Sequence, residues 1–277
     1  MLFRMFLIAS LIQSGSAWKP HIVNGVDADE NGHPWLLSLE RRGRPDCGAA
    51  LIRARKDDKE SDIGITAAHC VCGITARESQ PGKFDVVAGK YLFRDSNEKQ
   101  ENRRVQAHVC HPLFNRKATF ANFDLALFKF ERPIKFNENI SSIDIATGSE
   151  KIKPGQKCVV AGWGVTNELN DSSARRSPVS LQELEVTVQD SSVCKLHYPK
   201  TFNESSMICA QPEAPKPGTP CSGDSGGPLV CRGKQPILFG VVSFGNSGCK
   251  PDLPAVYTDL SKHMDWIEPT IHGLEYL

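Results

Sequence analysis

Short apolar runs set the pattern of this chain. Trp35–Leu39, Phe84–Ala88, Leu125–Phe130, Cys158–Ala161 and Ile237–Ser243 are rich in Val, Ile, Leu and Phe and are separated by clusters of Gly, Pro, Asn and Asp. Runs this short between turn-forming residues predict strands, and many of them in series predict an all-β barrel or sandwich, between which the pattern does not choose. Helical periodicity is scarce until the end. There Ser261–Ile271 predicts a terminal helix with Asp265, Trp266 and Ile267 in its middle, whose length Pro269 limits because it has no N–H to donate. Neither an internal repeat nor a low-complexity tract interrupts the pattern.

The first residues have another character. Arg4 supplies a positive charge, Met5–Ile12 is apolar, and Gly15-Ser16-Ala17 offers the small residues of a cleavage site, so residues 1–17 read as a secretory signal peptide. The run is far shorter than the about 20 residues that span a bilayer, and no second candidate follows, which predicts a secreted chain without a membrane anchor. Ten cysteines fit an oxidising compartment. In that setting Asn139-Ile140-Ser141, Asn170-Asp171-Ser172 and Asn203-Glu204-Ser205 are glycosylation sequons. Lys and Arg total 33 against 32 Asp and Glu, and removing residues 1–21 takes only Arg4 and Lys19 from this balance. A chain so evenly charged lacks the basic excess of a nucleic-acid binder.

Candidate chemistry lies in Cys221-Ser222-Gly223-Asp224-Ser225-Gly226-Gly227-Pro228, which sets one serine among glycines and beside an aspartate. Glycines allow backbone N–H groups close approach to a reacting atom, but a serine hydroxyl is a poor nucleophile without a base and an orienting carboxylate. His69 in Thr66-Ala67-Ala68-His69-Cys70 and Asp124 in Asn122-Phe123-Asp124-Leu125-Ala126-Leu127 supply both. Asp124 sits in a strongly apolar run, where a buried carboxylate is costly unless hydrogen-bonded. The chain order His, Asp, Ser separates one family of serine hydrolases from others with the same geometry.

On these motifs the chain from Ile22 to its end resembles the chymotrypsin-family secreted serine proteases. The resemblance implies two antiparallel six-stranded β-barrels packed at a central cleft, with a C-terminal helix. Residues 18–21 become a short pro-segment and 22–277 the protease domain: a first barrel over about 22–140, a second over about 141–260, and the helix over about 261–277. It further implies a Ser225–His69–Asp124 triad, an oxyanion hole formed by the N–H groups of Gly223 and Ser225, and Ser243 as a further hydrogen-bond donor to Asp124. Ile22, in Ile22-Val23-Asn24-Gly25, becomes a new N-terminus whose amino group pairs with Asp224. His21 stands where most relatives carry Arg or Lys, which predicts that trypsin does not release Ile22 efficiently.

By the same resemblance Thr219 is the floor of the substrate pocket with Pro220 beside it, Gly245 lines its mouth and Ala255 its rear wall. A floor without a carboxylate leaves a substrate Lys or Arg unpaired, which points to uncharged, apolar P1 residues, chymotrypsin- or elastase-like and not trypsin-like. Implied pairings are Cys47 with Cys70, Cys158 with Cys231, Cys194 with Cys209 and Cys221 with Cys249. Parity then joins Cys72 to Cys110, the alternatives being free thiols or an intermolecular bridge. The segment Arg55–Glu60 lengthens the chain between Cys47 and His69 relative to the family and reads as an exposed loop; Arg41, Arg42 and Arg44 form a basic loop beside the leaving-group side of the cleft. Arg175-Arg176 lies in a long polar loop open to nicking. Lys90 after Gly89 argues against bound calcium. The chain therefore reads as a monomeric serine endopeptidase acting on proteins or peptides and open to protein protease inhibitors, with no cofactor, metal or nucleic acid. The competing reading is a catalytically silent homologue that works as a binding or regulatory protein.

Overall fold

A computed structural model describes residues 22–73, 83–93, 99–115, 122–165, 179–213, 215 and 217–277. The expected signal peptide over residues 1–17, the expected pro-segment over 18–21 with His21, the sequon at Asn170 and the Arg175-Arg176 pair lie outside the described residues.

Six strands close the first barrel: β2 (Leu36–Glu40), β3 (Pro45–Ile52), β4 (Glu60–Thr66), β5 (Asp85–Ala88), β6 (Glu101–Cys110) and β7 (Ala126–Lys135), in the order β2-β3-β4-β7-β6-β5. The second is built from β9 (Lys157–Gly162), β10 (Gln182–Val188), β11 (Met207–Gln211), β12 (Pro228–Arg232), β13 (Pro236–Phe244) and β14 (Ala255–Asp259), and the antiparallel pairing of β10 with β9 closes it. Two short strands extend its sheet: β1 (Val26–Asp27) on β10 and β8 (Asp144–Ile145) on β13.

The apolar runs are nearly continuous because many strands are buried on both faces. Along β7, Ala126, Phe128 and Phe130 point into the first barrel with Leu37, Leu51 and Val86. Leu125 and Leu127 point the other way, into a layer with Ile63, Val230, Leu238 and Val241 that joins the two barrels. The period is two, but with an apolar partner on either side every position is apolar.

Two expectations need correction. Residues 22–27 do not belong to the first barrel: Ile22 is 0% exposed and packs with Cys158, Val160, Val186 and Tyr257 in the second, and Val26 pairs with Glu183 of β10. A segment with a buried isoleucine follows the core that accepts it, not sequence order. The helix also outruns Pro269. After a 3-10 turn over Leu260–Lys262, capped by Asp259 Oδ1 accepting from Ser261 N at 3.0 Å, a helix spans Met264–Glu275 with the proline inside. An interior proline costs about 3 kcal/mol. Burial of Ile267, Ile271 and Leu274 against the inter-barrel layer returns about 1.5–3 kcal/mol each, so packing prevails. Lys129 of β7 also donates to Leu274 O at 2.8 Å.

All ten cysteines are joined, as Cys47–Cys70, Cys72–Cys110, Cys158–Cys231, Cys194–Cys209 and Cys221–Cys249. The Arg55–Glu60 segment is largely exposed, with Asp58 Oδ2 accepting from Arg55 N at 2.9 Å. No helix among the described residues is long and apolar enough to cross a membrane.

Candidate active site

The first barrel brings His69 and Asp124 together. His69 rides on a one-turn helix, α1 (Ala68–Val71), directly after β4, and Asp124 lies just before β7, the strand paired with β4. Asp124 is 1% exposed, yet its carboxylate is well supplied with donors. Oδ1 accepts from the His69 backbone N–H at 2.8 Å, while Oδ2 faces His69 Nδ1 at 2.7 Å and accepts from Ser243 Oγ at 2.6 Å. A carboxylate at Nδ1 makes that nitrogen the donor of the neutral ring and Nε2 the acceptor. The His69 side chain keeps 30% of its surface open, so this base is accessible.

Ser225 comes from the loop before β12. Its carbonyl accepts from Gly48 N of β3 at 2.8 Å, and the next residue's N–H bonds to Val242 O at 2.7 Å, so both barrels fix the serine's backbone. Only glycine suits its neighbours. Gly223 has φ 103 and Gly226 φ 75, and a Cβ on Gly226 would lie 2.1 Å from Thr66 Oγ1. Among the described residues, the N–H groups of Gly223 and Ser225 have no hydrogen-bond acceptor. Both are therefore available to a developing oxyanion.

Asp224 turns away into the second barrel and is 2% exposed. Oδ1 accepts from Gly164 N at 2.8 Å and Oδ2 from Cys221 N at 2.9 Å, but no cationic side chain pairs with it among the described residues. Burial pushes its carboxyl up to about 7, against the pull of those two bonds. Ile22 is held in the same barrel: Thr219 N donates to Val23 O at 3.2 Å, Gly25 N to Ile22 O at 2.7 Å, and Asn24 Nδ2 to Pro217 O at 2.9 Å. Ile22 and Asn24 both have left-handed φ, 50 and 63.

Beside Ser225 opens a recess of about 190 Å³ lined by Pro220, Ser222, Ser243, Phe244, Gly245 and Asn246, among others, none of them charged. Thr219 and Ala255 stand next to this lining and not in it. Thr219 is buried with its hydroxyl on Pro220 O at 3.3 Å, and Ala255 Cβ lies 3.9 Å from where a Cβ on Gly245 would be. Cys221–Cys249 closes one side of the recess.

Several participants escaped the motif reading. A Cβ on Gly162 or Gly164 would fall 2.2 or 2.3 Å from the Asp224 carboxylate, so both glycines make room for it. The Gly162-Trp163-Gly164 spacing was the available signal. Tyr257 is fully buried near Asp224, and both burial and that carboxylate push its phenol up. Tyr198 packs edge-on against Phe244 at 5.5 Å and donates to Pro254 O at 2.6 Å, backing the recess.

The remaining candidates lie around this centre. Arg41 is committed, with Nη2 on Cys70 O at 2.9 Å, Nε on Asp46 at 3.0 Å and its guanidinium 4.7 Å over Phe84, whereas Arg42 and Arg44 are exposed. Lys90 pairs with Glu40 at 2.7 Å. Among the described residues, the group with metal-ligand spacing is Cys47, His69 and Cys70, and its two sulfurs are spent in a disulfide. Asn139 is half-buried; Asn203 Oδ1 accepts from Ser205 N at 3.1 Å.

Comparison with known proteins places the chain in a family. Residues 22–267 match the trypsin family. Human kallikrein-14 is 34% identical over 279 residues, covering 97% of this chain and 93% of that protein. Human granzyme H is 29% identical over 273 residues, covering 98% of each. Among solved structures, neuropsin, a serine protease expressed in the limbic system of mouse brain, superimposes with a TM-score of 0.75 at 27% identity, over 90% of this chain and 100% of its own.

Proposed function

This chain belongs to the trypsin family of serine endopeptidases, and on that premise we propose that it cleaves peptide bonds after uncharged, apolar residues through Ser225, His69 and Asp124. The observation that carries the reading is the Asp124 carboxylate bonded at once to the ring and the backbone of His69, which makes Nε2 the basic nitrogen. Ser225 Oγ attacks the scissile carbonyl carbon as Nε2 takes its proton. Asp124 stabilises the imidazolium so formed. The oxyanion is held by the N–H groups of Gly223 and Ser225, a contribution of about 3–4 kcal/mol per donor. Collapse expels the amine, which takes the proton from His69 and leaves an acyl group on Ser225. Water, deprotonated by the same ring, then releases the acid.

Activation follows from Asp224. Cleavage after His21 gives Ile22 a free ammonium, and that cation satisfies the buried carboxylate; leaving such a charge unpaired costs about 3–5 kcal/mol, enough to decide whether the Gly223–Ser225 loop is ordered. The enzyme is made with a signal peptide over residues 1–17 and a pro-segment over 18–21, is secreted, and is glycosylated at Asn139, Asn170 and Asn203. Protein substrates and protein protease inhibitors are its partners. The uncharged lining of the recess supports the choice of P1, since a Lys or Arg there would be buried without a counter-charge. A peptide-library cleavage profile of chain verified to begin at Ile22 tests this. Cleavage after medium or large apolar residues is expected, preference for Arg, Lys or Asp overturns the specificity, and absence of any cleavage favours a silent binding protein.

A further inference from the structure

His69 and Asp124 are tied to each other by two hydrogen bonds and α1 to β3 by Cys47–Cys70, and on the reading of the two as a catalytic pair the question is what else fixes the short elements that carry them. Helix α1 is four residues long and has no side-chain cap at its N-terminus, so it has little stability of its own. Asp124 comes from a separate turn in which Phe123 has φ 59, a conformation that aromatic residues rarely adopt. Catalytic contacts need placement to within about 0.5 Å, so every tie on these two short elements counts, including Thr258 Oγ1 donating to Asp124 O at 3.0 Å.

Two consecutive residues at the end of β6 reach both. Cys110 is bonded to Cys72, whose N–H closes α1 on Ala68 O at 2.7 Å, and it pairs in register with Ala126, two residues beyond Asp124. His111 N donates to Leu125 O at 2.9 Å, and its ring stacks on Phe123 with centroids 4.7 Å apart and planes at 17°. From the C-terminal segment, His263 stands edge-on to both rings, 5.3 Å from His111 and 5.7 Å from Phe123, and Trp266 lies 4.9 Å from His111. The path from base to carboxylate thus runs from His69 through Cys72–Cys110 and His111 to Phe123 and Asp124.

We propose that Cys110 and His111 act as a positioning bracket, in which the Cys72–Cys110 bridge sets α1 and the His111 ring sets the Phe123–Asp124 turn against one strand end. Neither residue touches the reacting atoms. Loss of the bracket therefore lowers turnover and leaves substrate binding, a property of the second barrel, unchanged.

The test uses enzyme beginning at Ile22, well below its unfolding temperature, with kcat normalised to fluorophosphonate-titrated sites. Cys72→Ser/Cys110→Ser is expected to lower kcat about tenfold with KM within twofold, as slight misplacement of catalytic groups does. His111→Ala does the same to a lesser degree, and His111→Phe, which keeps the stack, restores kcat to within about twofold of the parent. A lower unfolding temperature with unchanged kcat, or His111→Phe no better than His111→Ala, overturns the bracket. If the serine pair does not accumulate, Cys72→Ala/Cys110→Val is measured in its place; if that also fails to fold, the bridge serves folding and the proposal falls. Ser225→Ala that still hydrolyses substrate defeats the catalytic reading instead, and so distinguishes the two failures.

Discussion

The two barrels each bury one aspartate near the cleft, and they treat it differently. In the first, Asp124 receives two bonds from His69 and one from Ser243, so the base is oriented in the uncleaved chain. In the second, Asp224 receives only two backbone N–H groups among the described residues, and burial pushes its carboxyl up to about 7. A buried carboxylate supplied with every bond fixes a neighbour. One left short of a positive charge becomes a place where a covalent event elsewhere can act. The first barrel thus holds its carboxylate fully bonded, and the second leaves Asp224 without a cationic partner among the described residues, the place that the proposed Ile22 amino group would take.

The sharpest way to break this contrast is to remove each charge in turn from the enzyme that begins at Ile22. Asp124→Asn is expected to cut kcat about 10⁴-fold with KM little changed, because an amide favours the wrong tautomer of His69. Asp224→Asn should lower kcat/KM by about 10²–10³-fold, the equivalent of an uncompensated buried partner. Its effect must fall on the second barrel alone, with the His69 ring resonances unmoved by NMR. Equal losses from both variants, or an Asp224→Asn enzyme within threefold of the parent, would erase the distinction.

Titration gives the barrels opposite signs. His111 is held down to about 4 by burial and by His263, so its folded ring stays neutral where the unfolded chain binds a proton. The unfolded state then holds more protons between about pH 6.5 and 4, and stability falls as pH drops through that window by about 3 kcal/mol at most. Asp224 of the uncleaved chain is raised, so its folded form holds the extra proton, and stability falls as pH rises from about 4 to 7. Thermal unfolding against pH separates the two. Uncleaved Asp224→Asn should gain most over the parent near pH 8 and little below pH 4, whereas His111→Phe should gain most near pH 4. The same slope in both variants would contradict the assignment.

The smallest effect concerns the recess. Ala255→Gly removes a methyl beside the wall formed by Gly245, and selectivity for the larger of two apolar P1 side chains should rise about tenfold in kcat/KM, the scale of one methyl-sized difference. A decrease would place Ala255 away from the P1 side chain.

The candidate triad stood out in the sequence because the proposed chemistry demands particular residues in short motifs, a serine among glycines, a histidine after a small-residue run and an aspartate within an apolar run, and the fold brings His69 and Asp124 of these into hydrogen-bond contact. Barrel strands such as Phe84–Ala88 and Leu125–Phe130 were legible as apolar runs, since burial on both faces removes alternation. What escaped depends on contacts between distant segments. Nothing local around Phe123 signals its left-handed backbone, and its ring stacks on one twelve residues earlier, at His111. Pro269 was misread for the same reason, because the burial that carries a helix past it belongs to the inter-barrel layer. Ile22 likewise follows the core that buries it, across the boundary that sequence order suggested.

The most direct test of the account labels two forms of the protein, uncleaved and beginning at Ile22, with a fluorophosphonate probe, and maps the labelled residue by peptide analysis. The account predicts stoichiometric labelling of Ser225 in the Ile22 form, its loss in Ser225→Ala, and labelling at least about 10²-fold slower in the uncleaved chain, where Asp224 lacks its partner. Equal labelling rates in both forms, or label on any other residue, would contradict it.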